Sequence, residues 1–151
     1  MIYIYTDGSS RGNPGPGGYG AILKSGKHLK ELSQGFRKTT NNRMELLAVI
    51  VALEAIKIES ADVLVTSDSK YVVDSVEKKW IYGWVKKDYK DVKNPDLWKR
   101  FMQAYSKYQV KFKWIKGHNN HEENERCDFL ATQAADGLNL LIDEGYEAAN
   151  K

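Results

Sequence analysis

The segment Arg43–Ile58, RMELLAVIVALEAIKI, contains neither glycine nor proline and is apolar on nearly every face of a helix, with Glu45 and Glu54 as the exceptions. A helix with so little polar surface has to lie largely buried against a sheet. Its start is marked by Thr39-Thr40-Asn41-Asn42, whose side chains can accept from the free amides of a first turn. The rest of the chain must supply the cover.

Met1–Thr6 (MIYIYT), Tyr19–Lys24 (YGAILK) and Leu29–Phe36 (LKELSQGF) read as strands. Their short connections make them antiparallel neighbours. The stretch Gly8–Gly18 between the first two is so rich in glycine and proline that it reads as a loop without regular structure. Ala61–Thr66 and Val110–Ile115 are a fourth and a fifth strand, the latter alternating apolar and charged residues. Ser69–Lys79, Asp96–Tyr108 and Glu125–Asp136 read as helices, the last ended by Gly137. Trp80–Pro95 reads as irregular, and no element is assigned beyond Leu138. Three early strands followed by alternating helix and strand predict an α/β fold with a five-stranded mixed sheet. The length of 151 residues suits one domain spanning 1–151, with 138–151 as a tail.

A composition of 42% hydrophobic and 28% charged residues is that of a soluble globular protein. No apolar run is long enough to span a membrane. The N-terminal MIYIYTDG lacks the basic and apolar regions of a signal peptide. The single cysteine, Cys127, makes no internal disulfide, fits a reducing compartment and reads as a small packing residue. A net charge of +3 is too small to imply a polyanionic partner, so the placement of charge matters more.

The acids are placed informatively. Asp7 ends the first strand, Asp68 ends the fourth, Glu45 interrupts the apolar helix, and Asp128 lies on the last helix just after the polar loop Lys116–Asn124. Active sites in open α/β sheets gather beyond strand ends, where two acids from strands and two from covering helices can converge. Four clustered carboxylates repel, and a divalent cation relieves that repulsion. Oxygen-only ligation suits Mg²⁺ or Mn²⁺ and not zinc. Two such ions could clamp a phosphodiester. Each acid taken singly also has an ordinary reading: Asp7 and Asp68 as turn residues, Glu45 as a helix cap, Asp128 as a solvated helix residue.

Five stretches carry a resemblance: YTDGSSRGNPGPGGYGAIL (Tyr5–Leu23), TTNNRMELLAVIVALEAI (Thr39–Ile56), TSDSKYVVDSV (Thr66–Val76), NPDLWKR (Asn94–Arg100) and WIKGHNNHEENERCDFLA (Trp114–Ala131). In content, order and spacing the chain resembles the bacterial-type ribonuclease HI family over nearly its whole length. The resemblance implies a ribonuclease H-like sheet flanked by helices on both sides. It implies an endonuclease that cuts the RNA strand of RNA–DNA hybrids with two Mg²⁺ ions, Mn²⁺ being a possible substitute. The products would carry 5′-phosphate and 3′-hydroxyl ends, and the work would be removal of primer and R-loop RNA by a cytoplasmic monomer. The family's four metal-binding carboxylates fall on Asp7, Glu45, Asp68 and Asp128, and its loop histidine on His118, which would assist proton transfer or product release. Glu125, one helical turn before Asp128, would stand behind the site.

For hybrid recognition, the resemblance puts Asn13, Asn41 and the backbone around Glu45 against the RNA 2′-hydroxyl in the minor groove. Thr40, Asn42 and Arg43 resemble contacts to the DNA strand, including a phosphate pocket. Lys78–Arg100 holds eight Lys or Arg against three Asp, with Trp80, Trp84 and Tyr89 interleaved. It aligns with the family's basic protrusion, with Trp80 and Trp84 lining the DNA-strand channel and Lys86 and Lys87 among its cations. Lys70 stands where a glutamine is expected, which exchanges a polar contact to RNA for a phosphate contact. Two other classes of protein remain to be distinguished: a DNA-cutting enzyme of the same broad fold, such as a transposase, integrase or junction resolvase, and a silent hybrid-binding module, which would be expected to lack one of the four acids.

Overall fold

The computed structural model describes residues 1–117 and 121–150. A six-stranded sheet is built from β1 (Ile2–Ser10), β2 (Gly15–Ser25), β3 (His28–Thr39), β4 (Asp62–Ser67), β5 (Gln109–Trp114) and β6 (Leu140–Leu141), in the order β5-β4-β1-β2-β3-β6. The β1-β2 and β2-β3 pairs are antiparallel, and the β1-β4, β4-β5 and β3-β6 pairs are parallel. The mixed sheet with three antiparallel leading strands is as the sequence predicts, with a short sixth strand added at the edge.

The helices are α1 (Asn41–Glu54), α2 (Lys70–Glu77), α3 (Trp80–Lys86), α4 (Pro95–Tyr105), α5 (Glu122–Ala135) and α6 (Glu144–Ala149). Pleating sends Ile2 and Ile4 of β1, with Ala21 and Leu23 of β2, into the main core under α1. Tyr5 and Ile22 face the other way, against Cys127 and Leu130 of α5. Helix α1 is buried all round because the sheet covers one side and α2 and α4 the other. The far side of that core is aromatic: Trp98 is wholly buried, with Trp84 at 5.1 Å, Phe101 at 5.4 Å and Tyr71 at 5.7 Å between ring centroids.

Three expectations are corrected. The glycine-rich stretch is mostly strand: β1 runs on through Ser10 and β2 starts at Gly15. Its glycines serve close packing. A Cβ on Gly18 would stand 2.6 Å from the Ala131 carbonyl of α5, and one on Gly20 would strike the backbone at Cys127. Trp80–Pro95 is irregular only in part, since α3 forms at its start, after Lys79 in the left-handed region (φ 61°), and drives Ile81 into the core. The segment beyond Leu138 contributes β6 and α6, and buries Asp143. Among the described residues no helix is long and apolar enough to cross a membrane.

Candidate active site

Asp7 is not the last residue of β1. It sits within the strand, opposite Gly20 of β2, but two residues past the point where the parallel pairing with β4 stops at Tyr5–Thr66. Asp68 follows the last residue of β4. The two carboxylates therefore emerge side by side where β1 and β4 part, at the carboxyl ends of parallel strands. Glu45 comes from the second turn of α1, whose first turn is capped by the Thr40 hydroxyl accepting from the Arg43 amide at 3.3 Å. Carboxylate oxygens of Asp7, Glu45 and Asp68 lie within 4.8 Å of one another. Asp128 of α5 stands outside that group but lines the same cavity of about 430 Å³, with Asn41, Asn42, Ser69, Lys70 and Tyr71.

Gly8 brings Glu45 into place. A Cβ there would collide with the backbone of Met44 and Glu45, so only glycine lets α1 press this closely on β1. Its amide donates both to Asp7 Oδ1 (2.9 Å) and to Glu45 Oε1.

The electrostatics show a cluster missing its counter-charge. Burial pushes Asp7 up to about 7, helped by the charges of Asp68 and Asp128 and opposed by hydrogen bonds with Glu45 and the Gly8 amide. Burial and the neighbouring Asp7 hold Glu45, only 5% exposed, well above the usual carboxylate range. Among the described residues, none of the four acids is in an ion pair. An all-oxygen donor set that resists ionisation without a cation fits hard divalent ions such as Mg²⁺ or Mn²⁺.

The remaining expected residues divide. Asn13 Oδ1 accepts from the Asn41 amide at 3.0 Å, so the β1–β2 turn and the start of α1 form one polar edge beside the acids. Asn42 and Lys70 are exposed and line the cavity. Glu125 lines a small cleft with Asp7, Asp68 and Asp128. Trp80, Lys86 and Lys87 are exposed on and after α3, whereas Trp84 packs on Trp98. His118 lies outside the described residues.

Arg43 is placed otherwise than expected. Its guanidinium is 3% exposed and fully engaged: with Asp143 at 2.8 and 2.9 Å, with Asp96 at 2.9 and 2.7 Å, and with Asn94 at 3.3 Å. All five of its N–H donors are engaged in these bonds. It ties α1 to α4 and to the C-terminal segment. Asp143, which also accepts from the Thr39 hydroxyl at 2.7 Å and caps α6 through the Tyr146 amide, was hidden in sequence that carries no periodic signal. Its one visible cue is the cap pattern, an Asp immediately before Glu-Gly-Tyr. Gly8 was visible only as part of a glycine-rich run.

The family model for RNase H matches residues 1–136. A "Ribonuclease H" of Shewanella amazonensis is 54% identical over 152 residues, covering 97% of this chain and 96% of that protein. A "Ribonuclease HI" of Shewanella oneidensis is 52% identical over 153 residues, covering 98% and 96%. Among solved structures, LC9-RNase H1, described as a type 1 RNase H with the type 2 active-site motif, superposes with a TM-score of 0.82 at 31% identity over 99% of this chain and 81% of its own. LC11-RNase H1 in complex with RNA/DNA hybrid does so with a TM-score of 0.65 at 30% identity, over 90% and 97%. Fold, motif order and full-length similarity agree, and the chain belongs to the RNase H family.

Proposed function

We propose that this protein is an endonuclease that hydrolyses the RNA strand of RNA–DNA hybrids at divalent metal ions held by Asp7, Glu45, Asp68 and Asp128. The observation that carries the reading is the convergence of three carboxylates from β1, α1 and the end of β4 within 4.8 Å, none of them in an ion pair among the described residues. The four carboxylates would hold a pair of Mg²⁺ ions, with Mn²⁺ as substitute, which would supply a coordinated, more acidic water and neutralise charge on the phosphodiester.

The chain's own groups orient and select. The Gly8 amide aims Asp7 and Glu45 at the same space. Glu125 lies beside Asp128 in the cleft, and His118 would assist proton transfer or product release. Asn13 and Asn41, joined by a hydrogen bond, face the minor groove, where short amides test for the 2′-hydroxyl that DNA lacks, and Thr40 and Asn42 take the DNA strand. Lys86, Lys87 and Trp80 receive the DNA strand, with Trp84 holding α3 against the core from beneath. Arg43 serves by fixing the start of α1. Products carry 5′-phosphate and 3′-hydroxyl ends, which suits removal of primer and R-loop RNA. The lone buried thiol of Cys127 suits a reducing cytoplasm, where the protein works as a monomer of one domain. The hybrid-bound relative supports the substrate class.

The test is a substrate panel: labelled RNA–DNA hybrid, DNA duplex and RNA duplex, each with Mg²⁺. The reading expects cleavage of the hybrid with 5′-phosphate product ends. Cleavage of the DNA duplex at a comparable rate would overturn it in favour of a DNA-cutting enzyme, and binding without cleavage in favour of a silent module.

A further inference from the structure

Trp114 is the last residue of β5, paired with Ser67 at the end of β4. Alternation places it on the same face as Val110 and Phe112, which pack against the main core, but Trp114 itself is 42% exposed. A large indole left this open at the rim of an active site is not explained by core packing.

Its two polar faculties are both used on neighbours of the site. The indole Nε1 donates to the Asp68 carbonyl at 3.0 Å. The turn that carries Asp68 is also held by its own serines, Ser67 Oγ accepting from the Ser69 amide at 3.0 Å and Ser69 Oγ from the Val72 amide at 3.2 Å, and by the Ile115 amide donating to the Ser67 carbonyl at 3.0 Å, but none of these bonds reaches the Asp68 carbonyl. The indole bond is a tether to this turn from a different strand, and it fixes the peptide plane from which the Asp68 side chain departs. The ring face, meanwhile, lies 4.9 Å from the Lys70 ammonium. Lys70 occupies the first position of α2, where the helix dipole disfavours a cation. The ring face offers its ammonium an attraction that offsets this. The result is a positive charge poised over the wall of the cavity that Asp7, Glu45, Asp68 and Asp128 share.

We propose that Trp114 is a positioning residue with two separable duties: its N–H sets the Asp68 carboxylate for metal binding, and its ring face holds Lys70 where it takes a backbone phosphate of the bound hybrid. The inference rests on the reading of Asp68 as a metal ligand in a hybrid-cutting site. Neither duty requires Trp114 to touch substrate.

The two duties separate by substitution. Trp114→Phe keeps an aromatic face and removes the donor. Trp114→Leu removes both. Lys70→Gln removes the charge and leaves Trp114. Each is measured in hybrid cleavage for kcat, KM and the Mg²⁺ concentration for half-maximal rate, at several salt concentrations, with denaturant unfolding alongside. Trp114→Phe is expected to lower kcat and raise the Mg²⁺ requirement by about tenfold, as loss of a group orienting a ligand does, while keeping the wild-type salt dependence of KM. Lys70→Gln is expected to raise KM and flatten the slope of log KM against log salt by about 0.9, the loss of one phosphate contact. Trp114→Leu should show both changes, and adding Lys70→Gln to it should flatten the slope no further.

The proposal is overturned if Trp114→Phe and Trp114→Leu lose only unfolding stability, with kcat and Mg²⁺ requirement as in the wild type. It is equally overturned if the salt slope is the same for wild type, Lys70→Gln and Trp114→Leu. Wild-type protein on the same hybrid is the control. Failure of the wild type to cut would refute the hybrid-nuclease reading itself, whereas a cutting wild type with unresponsive variants refutes only the role of Trp114.

Discussion

Asp7 is the residue on which the site's energetics turn, because it touches every other member: it shares the Gly8 amide with Glu45 and feels the charges of Asp68 and Asp128. Replacing it with asparagine removes a desolvated carboxylate that is unfavourable without a cation. Asp7→Asn is therefore expected to fold with a metal-free Tm equal to or above that of the wild type, and to lose cleavage. Mg²⁺ should raise the wild-type Tm by binding only the folded cluster, by about 2.7 kcal/mol in stability at a hundredfold excess over Kd, and the variant should lose most of this gain. Calorimetric scans with and without millimolar Mg²⁺ check both statements; a wild-type cleavage rate in the variant would remove Asp7 from the ligand set. The acids were legible in the sequence by their placement: Asp7 and Asp68 close apolar strand signals, Glu45 interrupts an apolar helix, and Asp128 follows a polar loop. Gly8 and Asp143 were not. A glycine's value in close approach, and an aspartate's in neutralising a distant arginine, depend on partners 37 and 100 residues away.

At the level of elements, the buried arginine cluster decides how the substrate edge is held. Arg43 joins α1 to α4 through Asp96 and to the segment before α6 through Asp143. Asp143→Ala leaves a buried guanidinium with only the half-exposed Asp96 as its anionic partner, and is expected to cost about 3 kcal/mol in denaturant unfolding. The effect should reach hybrid KM as well, since Thr40, Asn41 and Asn42 start the same helix. Asp96 adds a pH dependence whose sign is fixed. The Arg43 guanidinium outweighs burial and holds the Asp96 carboxyl below its ordinary 3.8, so its stabilisation is present above that pH and is lost as pH falls through the lower folded value. Asp96→Asn should thus lower stability near neutrality and flatten the loss below about pH 4 in acid unfolding curves; an unchanged acid limb would show that the pair contributes nothing. The elements that sequence reading located well carry strong local signals: α1 is an apolar run free of glycine and proline behind a Thr-Thr-Asn-Asn start, and the core strands are rich in β-branched and aromatic residues. Those it missed lack the usual punctuation: α3 begins after a left-handed lysine, β6 has two residues, and Gly18 marks helix-on-sheet contact and not a loop.

Across the whole molecule, the proposed function divides between an acidic cavity where β1 and β4 part and the exposed basic and aromatic side chains on and after α3. The first had a sequence signature, because metal chemistry needs particular residue types. The second had only composition, and its structure separates the exposed Trp80, Lys86 and Lys87 from Trp84, which belongs to the core. Phosphate contacts release counterions, so replacing Lys86 and Lys87 with glutamine should weaken hybrid binding and reduce the salt slope of log Kd by about 2, measured by fluorescence anisotropy in Ca²⁺ or EDTA. An unaltered slope would place the hybrid elsewhere.

The central claim is that carboxylates drawn from two strands' ends and two helices act together, through divalent ions, on one strand of a hybrid. A single reaction tests it most directly: an RNA–DNA hybrid labelled on both strands, incubated with the protein in Mg²⁺ and, in parallel, in EDTA. The account predicts cuts in the RNA label alone, in Mg²⁺ alone. Cuts in the DNA label, or RNA cleavage that persists in EDTA, would contradict it.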